Sequence, residues 1–154
     1  AVKFVDGPAE EMRALDSFNP KDTAVVDNSF KNIVTGFVAP DSSATIRQTS
    51  FDNVEIKYES NSSSTNLAVF SEIFYKDWHA YIDGREAPIA KANYVLRAIV
   101  IPAGKHSIEF KFVPKVYNTT YIITKYSNWF LLALLIGYLI YSIKNMIGKK
   151  EDNA

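Results

Sequence analysis

The chain of 154 residues contains no cysteine and only two histidines, His79 and His106. Without thiols there is no disulfide framework, no thiolate metal site and no cysteine nucleophile. Two imidazoles without a helix-spaced partner make a poor zinc ligand set, so no metal site is expected. An excess of charge of either sign is also lacking: 17 Lys plus Arg balance 17 Asp plus Glu, with no block of like charge. A phosphate-binding surface needs concentrated Lys and Arg, which argues against nucleic acid as a partner. The first residues, Ala-Val-Lys-Phe-Val-Asp-Gly, carry neither an initiator Met nor the apolar core of a signal peptide.

What the chain does have is one long uncharged run. Tyr126 to Ile143 contains 18 residues without a charge, bounded by Lys125 and Lys144. As a helix it spans roughly 27 Å, close to the hydrocarbon thickness of a bilayer, and snorkelling lysines let it run on toward Ile147. Trp129 near one end and Tyr138 and Tyr141 near the other suit the two interfaces. A core helix of a small domain keeps a polar stripe, and this one is apolar all round. The expectation is a transmembrane helix over 125–147, with a cytoplasmic tail at 148–154. Lys144, Lys149 and Lys150 beyond the span put the C-terminus in the cytoplasm and residues 1–124 outside it. An upstream part of the same protein is then expected to export this region, with a removed signal peptide as the rival explanation.

The first 124 residues read as mainly β. Gly7-Pro8-Ala9-Glu10-Glu11 marks the start of a short helix over about 8–18, with Pro in the first turn and carboxylates at the positive dipole end. Met12, Leu15 and Phe18 form its expected buried face, and Asn19-Pro20 stops it. Val54, Ile56 and Tyr58 alternate with charged residues, as do Ile108, Phe110 and Phe112, the pattern of half-buried strands. Leu67–Tyr75 and Val95–Ile101 are longer apolar runs that suit central strands covered on both faces. Asp83-Gly84 predicts a tight hairpin and Pro102-Ala103-Gly104-Lys105 a turn. Asn61-Ser62-Ser63-Ser64-Thr65 reads as a polar loop. Short strands at this spacing, without helical crossovers, predict an antiparallel β-sandwich or jelly roll.

Trp78, Tyr81 and Tyr94, with Asp77, His79, Asp83 and Arg97 nearby, have the chemistry of a sugar-binding face, through ring stacking and hydrogen bonds. Packing is the better-supported reading, because aromatics in strands normally serve core or edge packing. Arg97 lies inside an apolar strand and requires a carboxylate partner or an outlet to solvent; Glu72 is the expected partner. No nucleophile, base and orienting group assemble, so no catalytic residue is assigned. Asn61-Ser62-Ser63 and Asn118-Thr119-Thr120 match the glycosylation tripeptide, a pattern too short to decide anything.

The stretches Leu67-Ala68-Val69-Phe70-Ser71-Glu72-Ile73-Phe74-Tyr75, Trp78-His79-Ala80-Tyr81-Ile82-Asp83-Gly84, Ala92-Asn93-Tyr94-Val95-Leu96-Arg97-Ala98 and Ile101-Pro102-Ala103-Gly104-Lys105-His106 resemble the C-terminal region of the bacterial YfhO membrane-protein family, in the form found in Bacteroidetes. The resemblance covers about residues 8–145. It implies a polytopic inner-membrane glycosyltransferase of the GT-C type, which moves a sugar from a polyprenyl-phosphate donor to a cell-envelope acceptor outside the cytoplasm. Catalytic acids of such enzymes lie among upstream membrane helices, so none is carried over to this chain, and no cofactor is implied within it. One family pattern has Pro or Gly just before the Trp, where this chain has Lys76-Asp77-Trp78. Two readings follow. Either this is an accessory domain that binds or orients an envelope glycan through Trp78, Tyr81, Tyr94 and Arg97, or it is a structural or protein-interaction sandwich anchored in the bilayer. Exposure of Trp78 beside a groove favours the first, and its burial favours the second.

Overall fold

The computed structural model describes residues 1–36 and 41–151, which form two units, Ala1–Val113 and Pro114 onward. The first unit is built from ten strands: β1 (Val2–Val5), β2 (Ala24–Asp27), β3 (Thr45–Phe51), β4 (Glu55–Ser62), β5 (Asn66–Ile73), β6 (Trp78–Ile82), β7 (Arg85–Ala87), β8 (Ala90–Ala92), β9 (Leu96–Ile101) and β10 (Gly104–Phe112). A helix, α1 (Gly7–Leu15), joins β1 to β2, and a 3-10 turn covers Asn28–Phe30. The strands make two five-stranded sheets, in the orders β1-β2-β8-β9-β5 and β3-β4-β10-β6-β7.

The sandwich is therefore as expected, with one departure. β1 and β2 pair in parallel, Val2 opposite Ala24 through Val5 opposite Asp27, so α1 is a helical crossover in an otherwise antiparallel structure. A parallel pair cannot be closed by a tight turn, and the helix supplies the return path.

Period-two alternation drives the second sheet. In β4 and β10, Ile56, Tyr58, Ile108 and Phe110 are buried between the sheets, while Glu55, Lys57, Glu109 and Lys111 face outward. Phe70, Ile99, Ile101 and Ala80 complete this core. Three rings meet edge to face there: Phe70 lies 4.9 Å from Tyr58 and 4.8 Å from Phe110, centroid to centroid. Full burial of each such side chain contributes about 1.5–3 kcal/mol. A second cluster, with Ala24, Val26, Val34, Ala90, Ala92 and Ala98, covers the far side of the first sheet. The Asp83-Gly84 turn joins β6 to β7 with both residues at positive φ, 50° and 77°, as the hairpin signal requires.

Three expectations need correction. Leu67–Tyr75 is not a central strand: β5 is an edge, and Ile73 and Tyr75 are exposed. Val54 precedes β4 and is also exposed. The buried face of α1 is Glu11 and Ala14, with Leu15 and Phe18 beside them, whereas Met12 faces solvent. The cause is a polar clasp. Glu11, fully buried, takes the Lys91 Nζ at 2.9 Å and the Tyr94 backbone N–H at 2.9 Å, which rotates the helix away from the face its apolar residues suggest. The helix start is held by Asp27, whose carboxylate accepts the Gly7 N–H, and by Glu10, which accepts the Asp6 N–H.

The second unit is one helix, α2 (Lys115–Glu151). Its 25-residue stretch Thr119–Ile143, which contains an 18-residue window of mean hydropathy 1.5 with none of that window buried, is long and apolar enough to cross a membrane. The helix begins well before Lys125, so it takes in residues read above as the end of the β-domain. Of the expected tail, residues 152–154 lie outside the described residues.

Candidate functional site

The chemistry in the first unit centres on Arg97. Its place in β9, opposite Phe70 of β5, turns the side chain into the core between the sheets, where only 3% of it is exposed. A register shift between Phe70 and Ile73 lets β5 bring Glu72 to the same point. Glu72 Oε2 stands 2.6 Å from Arg97 Nη2, the predicted partnership, as a close ionic contact rather than an aligned hydrogen bond. The other carboxylate oxygen accepts the Tyr58 hydroxyl at 2.6 Å. The guanidinium lies over two rings, 4.2 Å from the Trp78 centroid and 4.6 Å from that of Phe110. Burial pulls the Arg97 pKa down while Glu72 opposes it, and burial followed by the bond to Glu72 pushes the Tyr58 phenol well up. The Tyr58 hydroxyl thus donates to one oxygen of Glu72 while the Arg97 guanidinium meets the other.

Trp78 is half-buried. One neighbour is Arg97, another is Phe112 at 5.4 Å, and the ring is one wall of a groove of about 450 Å³ lined also by Phe74, Tyr75, His79, Glu86 and Ile89. His79 Nδ1 pairs with Glu86 Oε1 at 2.8 Å on that rim.

Of the four candidate contact residues, the structure brings together Trp78 and Arg97 only. Tyr81 is an odd number of residues from Trp78 on the same strand, so it lies on the outer face, where the Lys111 ammonium sits 5.4 Å over its ring. Tyr94 belongs to the other sheet, in the β8–β9 turn at φ 71°, where its N–H secures Glu11 and Lys91 covers its ring. Among the nearby polar residues, Asp83 is a turn residue: it takes His106 Nδ1 at 2.6 Å and the Ser107 N–H at 2.9 Å. That contact raises the His106 pKa and lowers that of Asp83.

Two polar centres had no sequence signal of their own. Asp41 accepts bonds from the backbone and hydroxyls of Ser43 and Ser63 and from the Ser62 hydroxyl, which drives its pKa far down and ties the start of β3 to the end of β4. The Glu11 clasp is the other. Outer-face charges of the second sheet are laced together, with Lys57 and Lys111 both between Glu55 and Glu109 and Arg47 on Glu59. Among the described residues no three His, Asp or Glu side chains gather where they could hold a metal.

The family model described as bacterial membrane protein YfhO matches residues 31–124, from the segment before β3 through β10 and into α2. No curated protein and no solved structure matches the chain. The matched region takes in β3–β10, the Arg97 cluster and the beginning of the apolar helix, more than half of the sequence, and the chain belongs to the YfhO family of bacterial membrane proteins.

Proposed function

We propose that this chain is an extracytoplasmic accessory domain and one membrane span of a polytopic inner-membrane protein that transfers sugars from a polyprenyl-phosphate donor, and that the domain is a non-catalytic structural module. The observation that carries the structural reading is the use made of Arg97. Its charge is met by Glu72, its faces by Trp78 and Phe110, and it is closed off from solvent. Trp78 is accounted for by that packing, and Tyr81 and Tyr94 by their own partners elsewhere. The family membership and the apolar helix support a membrane-anchored module; the donor chemistry rests on the likeness to GT-C enzymes, whose catalytic acids lie in loops among upstream membrane helices.

The groove beside Trp78 favours a second reading, recognition of an envelope glycan, because an aromatic wall next to the His79–Glu86 pair is what a sugar ring can stack on and bond to. These 154 residues hold no cysteine, so they offer a direct test of the topology once any cysteines elsewhere in the parent protein are replaced. In intact cells, a Ser63→Cys variant of the parent protein is expected to react with a membrane-impermeant maleimide, and a Lys150→Cys variant only after permeabilisation. The reverse pattern contradicts the proposal. The role is tested by sugar transfer in proteoliposomes: Tyr81→Ala and Tyr94→Ala are expected to leave turnover within about twofold, and loss of turnover at unchanged folding overturns the accessory role.

A further inference from the structure

The two ends of the sandwich differ sharply in chemistry. At one end lie the start of β3, the end of β4, the start of β5 and the turns before β7 and β10, and this end is built of Asp41, Ser62, Ser63, Asn66, Asp83 and His106, bonded to one another locally. At the other end lie the end of β3, the start of β4, the end of β5, the start of β6 and β9, and the end of β10. Pairing fixes this grouping. Phe51 is opposite Ile56, Phe112 is opposite Trp78 and bonds to the Val54 carbonyl, Val113 bonds to the Asp77 carbonyl, and Phe74 bonds to the Val95 carbonyl. The Tyr75 ring lies 6.1 Å from that of Phe112, which joins the two sheets at this end.

Six apolar or aromatic side chains are exposed there: Phe51, Val54, Ile73, Tyr75, Val95 and Val113, each between 39% and 69%. Contiguous exposed apolar patches mark interaction surfaces. The chain itself says which surface. Val113 is followed by Pro114 and α2, and the apolar stretch begins at Thr119. Six residues cover about 9 Å as a helix and at most about 21 Å fully extended. The apolar end is therefore tethered within that distance of the bilayer, while the polar end lies a strand's length further along the unit. Asp52 and Lys76 among the apolar residues suit the headgroup level rather than the hydrocarbon.

We propose that this end of the sandwich rests on the lipid bilayer, with Phe51, Val54, Tyr75 and Val113 entering the headgroup–acyl boundary. The inference rests on α2 spanning the membrane, and its test separates the two. Single cysteines placed at Phe51, Val54 and Tyr75, at Ser63 and Ala103 of the polar end, and at Leu132 of the span are spin-labelled in the full chain in nanodiscs of anionic and zwitterionic lipid. Collision rates with oxygen, which partitions into lipid, and with a water-soluble nickel chelate are then compared. Circular dichroism confirms that each variant is folded. The expected oxygen-to-nickel ratio is highest at Leu132, at least threefold above the Ser63 and Ala103 values at Phe51, Val54 and Tyr75, and lowest at the polar end. Ratios at Phe51, Val54 and Tyr75 equal to those at Ser63 overturn the proposal, since that end is then solvated. Low collision with both reagents also overturns it, because protein then covers the surface. A low ratio at Leu132 overturns the membrane span and the proposal together.

Discussion

The inner and outer faces of β10 are made by alternate residues of one strand, and they handle charge in opposite ways. Outside, Glu109 and Lys111 belong to a ladder in which each charge has two partners and water besides. Inside, Ile108 and Phe110 share their layer with a single guanidinium, which has one carboxylate and two ring faces. Losing one partner of an outer pair costs little because solvent screens the charge that remains, whereas losing one partner of the inner pair costs much because the other charge is left buried and unpaired. Abundance of charged contacts is therefore a poor guide to where this domain is braced.

The largest effect should come from the inner layer. Phe110→Ala removes the ring that touches Tyr58, Phe70 and Arg97, and a loss of about 3–5 kcal/mol is expected in chemical denaturation of the full chain in detergent. Next comes Arg97→Met, which leaves Glu72 without its cation and Tyr58 bonded to an isolated carboxylate; about 2–4 kcal/mol is expected, reduced from a fully buried case because Glu72 keeps some access to water. Adding Glu72→Leu should recover part of that loss. If the double variant is no more stable than Arg97→Met, the brace is not the pair itself.

A smaller, pH-dependent effect belongs to His106 and Asp83. Asp83 raises the His106 pKa above its ordinary 6.5, so the stability that His106 contributes is complete below pH 6.5 and is lost as pH rises through the folded value. Asp83 is lowered from 3.8, so its contribution is present above that pH and is lost as pH falls through the folded value. The pair acts fully between about pH 4 and 6.5. Asp83→Asn keeps a residue that tolerates the turn, and its melting temperature should fall below that of the parent most at pH 5–6, with the gap narrowing by pH 8. The smallest effect should be Lys111→Met on the outer face, with no shift in melting temperature beyond experimental error. A clear destabilisation there would erase the contrast between the faces.

Features governed by local physics were legible in the sequence. The alternation in β4 and β10 fixes which side chains face inward, and Asp83-Gly84 admits the positive φ that a two-residue hairpin demands. Arg97 and Glu72 could be paired because an interior cation requires a partner and few carboxylates lie in apolar strands. Features set by distant pairing were not legible. β1 is only four residues long, and its parallel match to β2 leaves no local mark. Glu11 reads as a surface residue until Lys91, far along the chain, is placed beside it. The dispersal of the candidate site was partly readable: Trp78 and Tyr81 differ by an odd number of positions on one strand, which already assigns them to opposite faces.

The most direct measurement of whether Trp78 and Arg97 form a brace or a ligand site is the fluorescence of Trp78 in the full chain, in nanodiscs, with Trp129→Phe removing the only other tryptophan. Envelope glycans and polyprenyl-phosphate sugars are titrated while emission is followed. The structural account predicts no saturable change with any of them. A saturable change that disappears in His79→Ala, with the fold intact by circular dichroism, contradicts it and makes the groove beside Trp78 a sugar-recognition site.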